Sequence, residues 1–126
     1  MMRALVVDDS SAMRAYLKMI LKAAGFEVSE ARNGKEGLQA LEVASAPDLV
    51  LLDWNMPEMD GFEMLRQLRA NARWNQVKVM MVTTETEMGE MSRALGAGAD
   101  EYVMKPFTRE IIVDKLELLG LTSQGL

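Results

Sequence analysis

Two hydrophobic periods alternate along this chain. Arg3-Ala4-Leu5-Val6-Val7, Leu49-Val50-Leu51-Leu52-Asp53 and Val77 to Thr83 are nearly unbroken apolar runs. Such runs suit strands buried on both faces. Phe26 to Ala31 alternates apolar and polar residues, as an outer strand with one wetter face would, and Glu101 to Met104 is a short fifth strand. Between the strands the spacing changes to three and four. Met13, Tyr16, Leu17, Ile20, Leu21 and Ala24 form one apolar stripe, opened by Ser10-Ser11 as cap and closed by Gly25. Asn33 with Glu36 forms a capping-box pattern, and Leu38, Leu41 and Ala44 carry the second helix to Pro47. The third helix is predicted from about Gly61, with Phe62, Met64, Leu65 and Leu68 inward, followed by a polar loop from Asn71 to Gln76 that holds Trp74. The fourth is predicted from about Thr86 to Ala97, with Met88, Met91, Ala94 and Leu95 on one face. Thr108 caps a fifth that runs through Leu119.

The pattern is (βα)5, an α/β chain. Short connections between alternating strands and helices require a parallel sheet with helices on both faces. No linker or repeat divides residues 1–120, which are read as a single domain, with 121–126 as a tail. In a parallel sheet every strand's carboxyl end lies on one edge, the edge where open α/β sheets bind ligands. Asp8, Asp9, Asp53, Thr83 and Lys105 all fall at or just after such ends. Separately, each has an ordinary explanation: Asp in a turn, an acidic pair favouring a helix N-terminus, a solvated lysine, a strand-end threonine. Their convergence on one edge is what makes chemistry the better reading.

Composition narrows that chemistry. The chain has no cysteine and no histidine, which excludes disulfides, thiolate ligands and any imidazole base or metal ligand. The net charge of −5 argues against non-specific nucleic-acid binding. Apolar runs are too short to span a bilayer, and Met1-Met2-Arg3 leads directly into a strand rather than a secretory signal, so a cytoplasmic location is expected. Three carboxylates at one point repel one another, and a hard divalent cation relieves them. Mg²⁺ takes one or two carboxylates and keeps several waters, whereas Ca²⁺ wants more protein oxygens. A carboxylate can also be the nucleophile in phosphoryl transfer, with the Lys105 ammonium and Thr83 hydroxyl offsetting charge on the transferred group.

The sequence resembles the response-regulator receiver domains of two-component signalling, and in particular the free-standing members that serve chemotaxis. The similarity lies in Leu5-Val6-Val7-Asp8-Asp9-Ser10, Asp53-Trp54-Asn55-Met56-Pro57 with Met59-Asp60-Gly61, Met81-Val82-Thr83, and Tyr102-Val103-Met104-Lys105-Pro106-Phe107-Thr108, and it extends over essentially the whole chain. It implies a flavodoxin-like sheet of order 2-1-3-4-5. It implies that Asp53 is the phosphoacceptor, that Asp9, Asp53 and the backbone carbonyl of Asn55 ligate Mg²⁺, and that Asp8 acts through a bound water. Thr83 and Lys105 would bind the phosphoryl group, Tyr102 would be a rotameric switch, and Lys105-Pro106 would be cis. Asn55 and Glu85, two residues past Asp53 and Thr83, would tune hydrolysis. Thr84 departs from the smaller residue many members carry there, which narrows access.

A histidine kinase is the implied phosphodonor. Output would pass to a downstream protein such as a flagellar motor switch, with a phosphatase as a further partner and neither nucleic acid nor membrane involved. The output surface is expected around Glu90, Arg93, Glu101, Tyr102, Arg109 and Ile112, with Met88 or Met91 as adaptable contacts. A phosphate sink or a phosphorelay outside chemotaxis is the alternative use of the same chemistry. An FMN-binding role is disfavoured because Asp8-Asp9 would repel a phosphate in the loop after the first strand. A dehalogenase-type phosphatase is disfavoured because Asp53 lies in the third strand and no cap insertion is visible. The chain is thus expected not to be a turnover enzyme.

Overall fold

The computed structural model describes residues 2–43, 45–84 and 89–121. Five strands, β1 (Met2–Val7), β2 (Phe26–Ala31), β3 (Leu49–Asp53), β4 (Lys78–Thr83) and β5 (Glu101–Met104), form one parallel sheet in the order β2-β1-β3-β4-β5. The helices are α1 (Ser11–Ala23), α2 (Gly34–Val43), α3 (Gly61–Arg69), α4 (Met91–Gly96) and α5 (Arg109–Leu118). Fold class and strand order are as expected.

The strand period of two divides the core. Leu5, Val7, Val50, Leu52, Val79 and Met81 face one side and pack with Leu41 of α2, Met64, Leu65 and Leu68 of α3, and Met91 and Ala94 of α4. Ala4, Val6, Leu49, Leu51, Met80 and Val82 face the other, against Leu17, Ile20 and Leu21 of α1 and Ile112 and Leu116 of α5. Adjacent residues on one strand therefore serve different layers. All five residues of β3 are buried, because β3 has a strand on each side and helices on each face. Each fully buried aliphatic side chain there contributes roughly 1.5–3 kcal/mol. At the edge of the sheet, β2 exposes Glu27, Ser29 and Glu30 and buries Phe26 and Ala31.

The caps follow the sequence signals. Ser10, Asp60 and Thr108 each accept from an amide three residues on, at Met13, Glu63 and Ile111. Asn33 accepts from the Glu36 amide, but the returning bond of the capping box is displaced: the Glu36 carboxylate accepts from the Arg32 amide and guanidinium.

Two expectations need correction, and a third lies partly outside the described residues. Residues 72–74 form a 3-10 turn rather than a plain loop, and Trp74 is buried under Arg73. Leu95 is not inward but exposed on α4. The start of α4 expected near Thr86 lies outside the described residues, as does Met88; Gly89 and Glu90 form a short 3-10 turn before the α-helix at Met91. Arg69, which the sequence did not mark, binds the carbonyls of Gly98 and Trp74 and the carboxylate of Asp100. The same carboxylate oxygen accepts from the Val79 amide, so α3, β4 and the segment before β5 are tied together at the edge opposite the strand ends.

Gly61 reads in sequence as a turn residue, but its role is close approach. A Cβ there would overlap the Asp53 carbonyl oxygen and crowd Trp54 Cα, and the Gly61 amide donates to the Trp54 carbonyl. Gly96, inside α4, would meet nothing with a Cβ. Gly61→Ala is expected to destabilise by about 1–3 kcal/mol through backbone displacement, and Gly96→Ala to stabilise by about 0.5–1 kcal/mol through helix propensity. Urea denaturation of the two variants checks both signs.

Candidate functional site

The parallel sheet delivers the carboxylates to one place. Asp8 follows β1, Asp53 ends β3, and these strands are neighbours. Carboxylate oxygens of Asp8, Asp9 and Asp53 lie within 4.8 Å of one another. Asp8 and Asp53 are buried, at 1% and 5% exposure, while Asp9 is exposed. Lys105 arrives from the end of β5, where its amide donates to the Thr83 carbonyl at 2.7 Å. Its Nζ lies 3.3 Å from Asp53 Oδ1 and 3.7 Å from Asp8 Oδ2. Lys105-Pro106 is cis, as the resemblance implied. Thr83 is fully buried at the end of β4, with its hydroxyl 3.3 Å from the Thr84 carbonyl oxygen.

The loop after β1 is held by several bonds. The Asp8 amide donates to the Ala31 carbonyl at the end of β2. Asp8 Oδ1 accepts from the Ser10 amide at 2.8 Å, so Ser10 both caps α1 and orients the carboxylate. Arg14 Nη1 donates to the Asp8 carbonyl oxygen at 2.7 Å. Sequence reasoning missed Arg14, because one arginine on the polar side of an amphipathic helix carries no local signal. In the loop after β3, Glu58 adopts a positive φ of 65° and its carboxylate accepts from the Asn33 side chain. A left-handed non-glycine residue in the loop that follows Asp53 is local strain of the sort found at functional sites.

Electrostatics describe a site short of positive charge. Burial, followed by repulsion from Asp8, pushes the Asp53 carboxyl up to about 6 despite its contact with Lys105. Burial also raises Asp8, partly offset by the Ser10 amide and Lys105. Asp8 Oδ2 is a buried oxygen with no hydrogen-bond donor. Three carboxylates, one ammonium and an orphaned buried oxygen fit a hard divalent cation of the Mg²⁺ kind.

The remaining expected residues fall as follows. Asn55 is exposed, two residues past Asp53, and Glu85 lies outside the described residues. Tyr102 is half-buried on β5, with the Lys115 ammonium 4.9 Å from its ring centroid and Lys115 paired to Glu101. Of the expected output surface, Glu90, Arg93, Glu101 and Arg109 are at least partly accessible, but Ile112 and Met91 are buried in the core and cannot be contacts. They lie on the inner faces of α5 and α4, one residue off the outward positions. The exposed apolar residues of this region are instead Leu95, Met104 and Ile111.

Residues 4–117 match the response regulator receiver domain. The chemotaxis protein CheY1 of Helicobacter pylori is 40% identical over 119 residues, 94% of this chain and 96% of that protein. The chemotaxis protein CheY homolog of Campylobacter jejuni is 41% identical over 125 residues, 98% and 96% of the two chains. Among solved structures, the chemotaxis protein CheY4 of Vibrio cholerae superposes with a TM-score of 0.86 at 33% identity, covering 94% of this chain and 98% of that one. A CheY-like receiver domain protein from Methanospirillum hungatei superposes with a TM-score of 0.85 at 34% identity, covering 94% and 93%. The chain belongs to the response regulator receiver family.

The raised carboxyl of Asp53 sets a pH dependence. An acid whose folded pKa lies above its unfolded value, here about 6 against 3.8, binds its proton more tightly when folded. The folded state therefore loses stability as pH rises through that window. In metal-free buffer, stability should fall by about 1–3 kcal/mol between pH 4 and pH 6.5 on account of this group. Asp53→Asn should flatten that fall and be the more stable protein at neutral pH, and Mg²⁺ should stabilise the parent chain more than the variant. Thermal melts across pH, with and without Mg²⁺, check all three.

Proposed function

We propose that Asp53 accepts a phosphoryl group from a phosphohistidine on a separate histidine kinase, and that the phosphorylated chain signals by binding another protein, as a single-domain response regulator of chemotaxis. The observation that carries this reading is the cluster of Asp8, Asp9 and Asp53 with the Lys105 ammonium against the Asp53 carboxylate. The chemotaxis assignment is supported by relatives that share about two residues in five over nearly full length. Among the described residues no helix is long and apolar enough to cross a membrane, which fits the proposed cytoplasmic location.

A carboxylate oxygen of Asp53 attacks phosphorus. The bond from phosphorus to the donor imidazole nitrogen breaks, and its electron pair leaves with the imidazole. Lys105 then exchanges its contact with the Asp53 carboxylate for one with a phosphoryl oxygen, and the Thr83 hydroxyl donates to another. Asp9, Asp53 and the Asn55 carbonyl would hold Mg²⁺, with Asp8 acting through a water. The ion, when bound, offsets the charge of the carboxylates and of the incoming phosphoryl oxygens. Reversal to the resting state is hydrolysis: water attacks phosphorus, the bond from phosphorus to the Asp53 oxygen breaks, inorganic phosphate leaves, and the Asp53 carboxylate is restored. Asn55 and Glu85 are assigned the orientation of that water. The chain returns to its start without turning over an external substrate, so its output is a state rather than a product.

That state is read through Thr83 and Tyr102. Drawing the Thr83 hydroxyl toward the phosphoryl group opens space beside β4 that Tyr102, on neighbouring β5, fills by changing rotamer. Phosphorylation biases this change only through contacts made in one conformation and not the other. The surface so altered carries Leu95, Met104 and Ile111, which suit an apolar partner contact.

With Mg²⁺ and acetyl phosphate, intact-mass measurement should find one added phosphoryl group on the parent chain and none on Asp53→Ala; equal labelling of the two would overturn the assignment. Chelation by EDTA should abolish labelling. Thr83→Ala and Tyr102→Ala should still be labelled yet lose most phosphorylation-dependent binding to the partner in a pull-down.

A further inference from the structure

We infer that Arg14 is a positioning residue for the divalent-cation site, acting through the backbone of Asp8 rather than through any carboxylate of the cluster. The inference rests on the proposed Mg²⁺-dependent chemistry at Asp53.

Arg14 sits in the first turn and a half of α1, on the side that faces the end of β2. Its Nη1 donates to the Asp8 carbonyl oxygen at 2.7 Å, and its Nε donates to Glu30 Oε1 at 3.1 Å. Only 14% of the Arg14 side chain is exposed. Glu30, in β2, also accepts from Lys18 Nζ at 3.3 Å, but on its other oxygen, Oε2, so the bond from Lys18 lies outside the Arg14 contact. The Asp8 amide is meanwhile bound to the Ala31 carbonyl. Asp8 is thus gripped at its N–H by β2 and at its C=O by Arg14, and the next residue, Asp9, is the exposed carboxylate of the cluster.

The Asp8–Asp9 peptide plane is what this grip fixes. Once its carbonyl is held, the positions of the Asp9 N and Cα are held with it, which narrows the directions its side chain can take. Asp9 has no burial to constrain it, so the peptide is where its freedom is removed. Arg14 suits this task better than lysine would. Its planar guanidinium bonds Asp8 and Glu30 at the same time, in fixed directions. Its charge reaches the cluster from the backbone side, whereas Lys105 occupies the space between Asp8 and Asp53.

Two effects of removing Arg14 have opposite signs, which makes the inference testable. Loss of a nearby positive charge should tighten the binding of a cation. Loss of the peptide grip should weaken it, in the manner of other supporting residues around metal sites.

Mg²⁺ affinity is measured calorimetrically on the full chain for the parent, Arg14→Met, Arg14→Lys and Lys18→Met, with acetyl phosphate labelling at Asp53 followed in parallel. Arg14→Met should bind Mg²⁺ about tenfold more weakly, and its labelling rate should return toward the parent's at saturating Mg²⁺. Arg14→Lys should recover part of the affinity. Lys18→Met, which removes a charge that touches Glu30 but not Asp8, should bind Mg²⁺ as tightly as the parent or more so. Affinity of Arg14→Met equal to or above the parent's, in a variant whose circular dichroism shows it folded, would overturn the inference. So would equal weakening by Lys18→Met. If Arg14→Met does not fold, Arg14→Lys and Glu30→Gln carry the test, each expected to weaken Mg²⁺ by a smaller factor, and unchanged affinity in both overturns it. A parent chain that neither binds Mg²⁺ nor takes up phosphate would instead defeat the functional reading on which the inference stands.

Discussion

Two buried carboxylates, Asp8 and Asp53, share one ammonium, and the functional edge of the molecule is arranged around that imbalance. Burying a carboxylate is costly unless it is paired and hydrogen-bonded. Lys105 lies against both acids but cannot neutralise them, and Asp9 adds a third negative group at the mouth. The carboxylate pair therefore stays short of positive charge, a condition that a divalent cation or protonation relieves. The same imbalance explains why Asp53 sits at the end of the most enclosed strand. Desolvation there strengthens each interaction it makes.

A site of that kind requires walls that do not yield. β1 and β3 are interior strands, and their register places Asp8 and Asp53 side by side as a consequence of parallel pairing. The N-terminus of α3 approaches the Asp53 carbonyl so closely that only glycine fits at Gly61. At the far edge, the Arg69–Asp100 pair fastens α3 to β4 and to the segment before β5. The residues that need order are thus supported by backbone contacts from several elements, while the side chains that do the chemistry remain few.

The opposite demand applies to the proposed output. Thr83 is buried with the site, yet Tyr102, on the next strand, is only half-buried beneath the Lys115–Glu101 pair. Tyr102 packs against the edge of the core, and its rotation disturbs mainly a partly exposed cation–π contact and a partly exposed ion pair. Such contacts are worth about 1 kcal/mol or less at exposed positions, small enough for a phosphoryl group to outweigh. The proposed two-state element lies where the structure is cheap to rearrange.

Much of this was legible in the chain. Periods of two and between three and four gave five strands and five helices, and parallel topology alone brought Asp8, Asp9, Asp53, Thr83 and Lys105 to one edge, because all strand ends must share it. The capping residues Ser10, Asn33 and Thr108 act locally, so a local reading sufficed for them. Other features depended on distant partners. Trp74 looked like a loop residue because nothing near it in sequence reveals the core that buries it. Leu95 and Ile112 exchanged their expected inner and outer places because a one-residue rotation of a short helix is decided by what packs against it. Arg14, Arg69 and Gly61 matter through contacts with the backbone of residues from 5 to 29 positions away. Backbone carbonyls are the same in every residue, so no sequence pattern announces which one a side chain will hold; only the folded arrangement decides it.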